Sequence, residues 1–265
     1  MSNNSHKDFI QKSITCILEE AVAASTGIGG GIETYPLCDY IMQSVFLKMT
    51  GFQEQKMKCI CWELATNDYE YRYKFSQSKL GECSHYEDKK TVYSELIEQI
   101  KKLDANFKVS GNINRSEILT STKSKIELIF NDTNLLVWAQ KDFNVYSHLI
   151  NEIQEDCFAY LVSRNQQTGV EKENLFLFAS CSNCPKNVNG KQCSNLKDIY
   201  GILYNHRNKV AHNTLSYQQN LPTLKTLADK NYIYENYFIR FAILILIDEI
   251  FIALYKKYLN VLHED

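Results

Sequence analysis

An all-α helical bundle with irregular insertions is the fold class this sequence predicts. Two observations carry the prediction. Apolar residues recur at helical spacing along most of the chain, and there are only three prolines and ten glycines in 265 residues. So few obligatory breaks favour long helices over a many-turned β architecture. With 45% hydrophobic and 12% aromatic residues the chain has the material for a real core, and its length fits one helical domain over 1–265.

The elements follow in order. Phe9, Ile10, Ile14, Ile17, Leu18 and Val22 predict a first amphipathic helix over Lys7 to Ala24. It stops at a glycine-rich joint, residues 27–31, the only such segment. No Gly-Lys-Ser/Thr follows it, so it reads as a joint before it reads as a phosphate loop. Helical periodicity resumes from Leu37 to Met49, is expected to break at Thr50-Gly51, and continues from Gln53 to about Phe75, with Met57, Ile60, Cys61 and Leu64 on one face. Gln77 to Lys90 is polar and charged, most simply a solvated loop. Tyr93 to Leu103 predicts a short helix. Asn106 to Asn134 is rich in Ser, Thr and Asn and leaves a β excursion and a mobile loop equally open. Tyr146 to Val162 carries a stripe of Leu149, Ile150, Ile153, Cys157 and Leu161. Leu196 to Asn213 and Ile233 to Leu262 are the last two helices, and no internal repeat is present.

A formal net charge of −2 gives no global basic field, so any nucleic-acid contact is local. The first eight residues lack the apolar run of an export signal, and a cytoplasmic protein is expected. The apolar stretch Phe238 to Tyr255 is interrupted by Arg240 and Asp248-Glu249. A central acid costs about 2.5–3.5 kcal/mol on insertion, so a buried core helix is expected and no membrane. Nine scattered cysteines without an export signal read as reduced thiols or metal ligands.

The chemistry-bearing residues gather late in the chain. Leu196, Ile199, Tyr200 and Leu203 form a buried row, and Arg207 extends that row by one turn. An arginine there needs a partner, because an unpaired buried guanidinium is very costly. Asn208 and His212 are four apart and share a face. Arg207 and His212, five apart, are offset by roughly 140° on an ideal helix. They converge on one substrate if the helix end is distorted or if two copies of the helix meet. The plain alternative is that Arg207, Lys209, His212 and Asn213 cap a helix end and complement its dipole.

The segment Tyr200-Gly201-Ile202-Leu203-Tyr204-Asn205-His206-Arg207-Asn208-Lys209-Val210-Ala211-His212-Asn213, followed by a long apolar helix, resembles the signature of the HEPN superfamily. The resemblance covers roughly residues 196–262. It implies a HEPN-type bundle and a metal-independent endoribonuclease that works as a homodimer, with Arg207 and His212 catalytic and Asn208 in support. It also implies RNA as substrate, and a toxin or antiviral defence role with an inhibitory or antitoxin partner. A histidine ordinarily titrates near pH 6.5, so it can take the 2′-hydroxyl proton or protonate the leaving 5′-oxygen. An arginine fork suits the charge that builds on a pentacoordinate phosphorus. No cofactor is required. One HEPN subgroup carries a tyrosine two residues after the histidine, where this chain has Thr214.

Cys181-Ser182-Asn183-Cys184, then Cys193, form a partial zinc knuckle, with Cys157, Cys38 or His206 as a fourth ligand through the fold. The alternative is three incidental cysteines. Cys59 and Cys61 read as helix core. Tyr69, Tyr71 and Tyr73 read as a helix end packing on the bundle or as a stacking surface for bases. His85 and His148 have no evident partner. The competing function is a non-catalytic binding or scaffold module built on the same helices, with nucleotide sensing at residues 27–31 as a third.

Overall fold

The computed structural model describes residues 3–77, 81–152, 196–212 and 236–263, and among them every regular element is helical. The all-α prediction is therefore met. The element boundaries depart from it in several places, each with a physical cause.

The first predicted helix is two, α1 (Asn3–Gln11) and α2 (Thr15–Ser25). At the break, Lys56 Nζ donates to the Lys12 carbonyl at 2.7 Å and the Ile14 N–H donates to Asp248 Oδ2 at 2.9 Å. Two buried side chains thus replace the helix's own bonds. Ser13 Oγ also accepts from the Thr15 hydroxyl at 3.0 Å, a local bond of the kind that competes with helix.

Residues 27–31 form a loop, as expected. Asn134 ties it down by donating to the Thr26 and Ile28 carbonyls at 3.3 and 2.6 Å. A Cβ added at Gly27, Gly29 or Gly30 would meet nothing within 4 Å, so these glycines are not forced by close backbone approach.

After a 3₁₀ turn (Ile32–Thr34), α3 runs unbroken over Tyr35–Asn67, through the expected break at Thr50-Gly51. Thr50 is buried and its hydroxyl donates to the Leu47 carbonyl at 2.8 Å, while Gly51 faces outward. A mid-helix glycine costs roughly 1 kcal/mol against alanine. The buried row Phe46, Met49, Gln53, Met57, Ile60 and Leu64 outweighs that. The actual stop comes at Asp68, whose backbone is extended and whose Oδ1 accepts the Tyr71 N–H at 3.0 Å. That side chain starts α4 (Tyr69–Gln77) as an N-cap does.

Helix α5 spans Tyr86–Leu103, beginning at Tyr86 rather than Tyr93. The segment expected as a solvated loop buries Cys83, Ser84, Tyr86 and Lys89. Neither a strand nor a long loop occupies 106–134. A short α6 (Val109–Asn112) leads to α7 (Arg115–Phe130), whose N-cap Asn114 accepts the Glu117 N–H at 3.2 Å. Helix α8 covers Asn134–Glu152, starting well before the expected Tyr146; the rest of that predicted stripe lies outside the described residues.

Helices α9 (Leu196–His212) and α10 (Tyr237–His263) match their predicted positions closely. Helix α10 is the axis of the bundle. From Phe238 to Asp248 every residue is buried, and the helix packs against α1, α3, α5, α7 and α8. Phe130 and Phe143 meet Phe238 edge-on, with ring centroids 5.0 and 5.2 Å away, and Tyr93 meets Phe251 at 6.4 Å. Each fully buried side chain of this size contributes about 1.5–3 kcal/mol of transfer free energy. The buried Arg240 guanidinium lies over the Phe46 and Tyr237 rings, 5.8 and 5.1 Å from their centroids. Among the described residues no helix is long and apolar enough to cross a membrane.

Candidate functional site

Helix α9 is seated by its aromatic residues. Tyr200 and Leu203 are buried against the bundle. The Tyr200 hydroxyl donates to the Ser84 carbonyl at 3.0 Å, and burial pushes its phenol pKa up. Tyr204 lies against His85, ring centroids 4.5 Å apart and hydroxyl to Nε2 at 3.3 Å, which gives His85 a partner the sequence did not suggest.

His206 turns the other way, toward α3 and α10. Its ring lies 5.6 Å from both Phe46 and Tyr237, and Nε2 meets the Tyr237 hydroxyl at 3.2 Å. Burial first, and the positive charge of Arg240 second, pull its pKa down to about 3. His206 is therefore a neutral packing residue at ordinary pH, not an acid–base group.

Arg207 extends the row of Tyr200 and Leu203, and it has the partner that position demands. Its Nη2 lies 3.5 Å from Glu54 Oε1 on α3, and its Nη1 donates to Asn208 Oδ1 at 3.2 Å. The two ion-pair side chains are only 26% and 15% exposed. Asn208 is half-buried, whereas His212 is exposed in the last turn. The helix stays regular to His212, so Arg207 and His212 remain about 140° apart around one axis. The fold thus joins Arg207 to Asn208 and leaves His212 on another side of the helix.

Two charged residues of this region are not singled out by the sequence pattern described above: Glu54 and Lys89. Lys89 is fully buried, donates to the Cys83 carbonyl at 2.5 Å, and sits 5.0 Å from the Tyr200 ring centroid. Burial lowers its pKa to about 8; the charge of Glu54 holds it up and that of Arg207 opposes it. Cys83, in a left-handed backbone conformation (φ 58°), has its thiol pushed up to about 11 by burial. Lys58 pairs with Glu82 at the rim. A signal for Lys89 existed. It stands four before Tyr93 on the row Tyr93, Leu96 and Ile100, as Arg207 stands four after Leu203.

The proposed zinc ligands Cys181, Cys184 and Cys193, with Cys157, lie outside the described residues. Of the other candidates, Cys38 is buried in the core and His206 is engaged with Tyr237. Among the described residues no three His, Cys, Asp or Glu side chains are placed to hold a metal ion. Cys59 and Cys61 are both core residues, as expected. Tyr71 is buried and donates to Glu95 at 2.6 Å, while Tyr69 and Tyr73 are exposed on α4. The His148 side chain lies outside the described residues.

No family model, curated protein or solved structure matches the chain.

Proposed function

We propose that this protein is a metal-independent endoribonuclease that cleaves RNA by attack of the 2′-hydroxyl on the adjacent phosphodiester. Arg207 stabilises the phosphorane charge, His212 moves the proton, and Asn208 orients the guanidinium. The observation that supports the reading is the state of Arg207. A guanidinium three-quarters buried at the end of an apolar row, held by Glu54 and Asn208, is pre-organised at an edge that solvent still reaches. Pre-placed charge is what transition-state stabilisation requires. The divergence of Arg207 and His212 around α9 is overcome by a second copy of the chain, whose motif helix faces the first across a two-fold axis. As a HEPN-type protein it would be a toxin or defence effector held in check by an inhibitory or antitoxin partner.

The test is cleavage of a mixed RNA pool by purified protein in EDTA, with His212→Ala alongside. Wild type leaves 2′,3′-cyclic phosphate ends and the variant loses most cleavage while keeping its melting temperature. Equal cleavage by both proteins sinks the reading. A second reading is favoured by the Arg207–Glu54 pair itself, since an arginine answered within its own chain also fits a non-catalytic binding module. In that case neither protein cuts.

A further inference from the structure

The contact between Arg207 and Glu54 is loose. It consists of Nη2 to Oε1 at 3.5 Å, whereas charge-assisted N–H···O bonds run at about 2.7–2.9 Å and arginine–carboxylate pairs are often bidentate. Lys89, fully buried and fixed to the Cys83 carbonyl, lies 5.0 Å from the ring centroid of Tyr200, two turns before Arg207 on α9. The charges of Glu54 and Arg207 both act on Lys89, with opposite sign. The contact that Glu54 makes is with Arg207, the cation that solvent still reaches.

We propose that Glu54 occupies an anion seat: Arg207, oriented by Asn208, forms a phosphate subsite that the chain's own carboxylate fills at rest. A phosphate group must displace Glu54 to enter. That the phosphate belongs to RNA rests on the ribonuclease reading; the seat itself is a property of these three side chains and is tested apart from it.

The exchange is favourable on three counts. A phosphodiester carries one negative charge, as a carboxylate does, so the charge balance at Arg207 is kept. It presents two anionic oxygens to a guanidinium whose plane Asn208 already holds through Nη1, which suits a bidentate contact better than the existing single one. The displaced carboxylate is not stranded, because Glu54 also lies within the field of Lys58 on the next turn of α3. The seat is thus self-inhibited: it is closed to weak anions and opens to a ligand that brings further contacts.

The experiment compares wild type, Glu54→Gln and Glu54→Gln/Arg207→Ala. One arm measures thermal unfolding in sulfate against chloride at matched ionic strength. The other measures anisotropy of a fluorescent 2′-O-methyl RNA oligonucleotide, which cannot be cut by this chemistry. Glu54→Gln is expected to gain more Tm from sulfate than wild type does. It should bind the oligonucleotide about two- to fivefold tighter, the scale of an ion pair that solvent reaches. Both gains should vanish in the double variant. A Glu54→Gln protein no more responsive to sulfate than wild type overturns the seat, as does a gain that survives loss of Arg207. A sulfate gain without oligonucleotide binding by any protein keeps the seat and refutes RNA as its ligand. Oligonucleotide binding by wild type that Glu54→Gln does not improve refutes the inhibition and leaves the ribonuclease reading intact. Should Glu54→Gln fail to fold, Glu54→Asp, with the charge withdrawn by one methylene, is read in the same way.

Discussion

Lys56 on α3 and Asp248 on α10 form an ion pair at 2.5 Å with both side chains fully buried, and each also holds a backbone group of the α1–α2 break. Burial acts against both charges, lowering the pKa of Lys56 and raising that of Asp248, while each partner opposes the shift in the other. The pair is thus less a source of net attraction than a plug that satisfies Lys12 and Ile14.

Lys56→Met alone should cost about 3–5 kcal/mol, the range for stranding one buried charge. The double variant Lys56→Met/Asp248→Leu should recover only in part, because two buried backbone groups would still lack partners at about 1–3 kcal/mol each. Urea unfolding of the three proteins checks this. Full recovery in the double variant would show that the backbone contacts carry no weight.

Gly51→Ala should stabilise the protein by about 0.5–1 kcal/mol, since the residue lies inside α3, faces outward, and has open space where the Cβ would go. A fall in the denaturation midpoint would instead mean that α3 needs a bend there.

The pH dependence of stability should carry the signature of His206. Its folded pKa of about 3 lies below the ordinary value of 6.5. The unfolded chain therefore binds the extra proton first, and stability falls as the pH drops from about 6.5 toward 3. The slope from this residue is at most ~1.4 kcal/mol per pH unit. Comparing unfolding free energies at pH 7 and pH 5, His206→Phe should show a smaller difference than wild type. An unchanged difference would assign the acid sensitivity to other groups.

If the proposed ribonuclease acts as a two-fold dimer, mixing Arg207→Ala and His212→Ala chains should restore part of the cleavage that each lacks alone, because heterodimers would contain one intact pairing across the axis. No recovery in mixtures shown to exchange subunits would place both groups' action within one chain, which the 140° divergence on α9 opposes.

If Cys181, Cys184 and Cys193 bind zinc structurally, about one zinc per chain should copurify with freshly reduced protein, and Cys181→Ser/Cys184→Ser should release it. Elemental analysis finding none would leave the three cysteines incidental.

The helical character of the chain and the place of α9 and α10 were legible because their apolar rows are long. The internal boundaries were less so, because long-range contacts decide them. Lys12 to Ile14 breaks only because Lys56 and Asp248 arrive from other helices, and Thr50-Gly51 does not break because the rows on either side are deeply buried. The start of α7 was readable in Asn114 and Glu117, a capping pair hidden in a polar stretch. In the site, Arg207 was legible because it visibly extends an apolar row by one turn. Lys89 obeys the same rule but stands among charged neighbours that read as solvated. Glu54 carries no such mark; only the packing of α9 on α3 brings it to Arg207.

The hydrogen bond from Ile14 to Asp248 closes a span of 234 residues. Helical proteins usually fold fast because their contacts are local, whereas contacts this distant carry a chain-closure entropy that must be met before they reward it. Here the helix that closes this span, α10, follows every other described helix in the chain. A nascent chain shorter than about Tyr237 has Lys56 without its carboxylate and Phe130 without the ring of Phe238. Those two contacts form only once α10 is part of the chain, while α3 already joins α1, α2, α4 and α5 without it. The seat of His206 against Tyr237 likewise waits for α10, whereas the edge that carries Arg207 is laid on α3 and α5, which precede it in the chain.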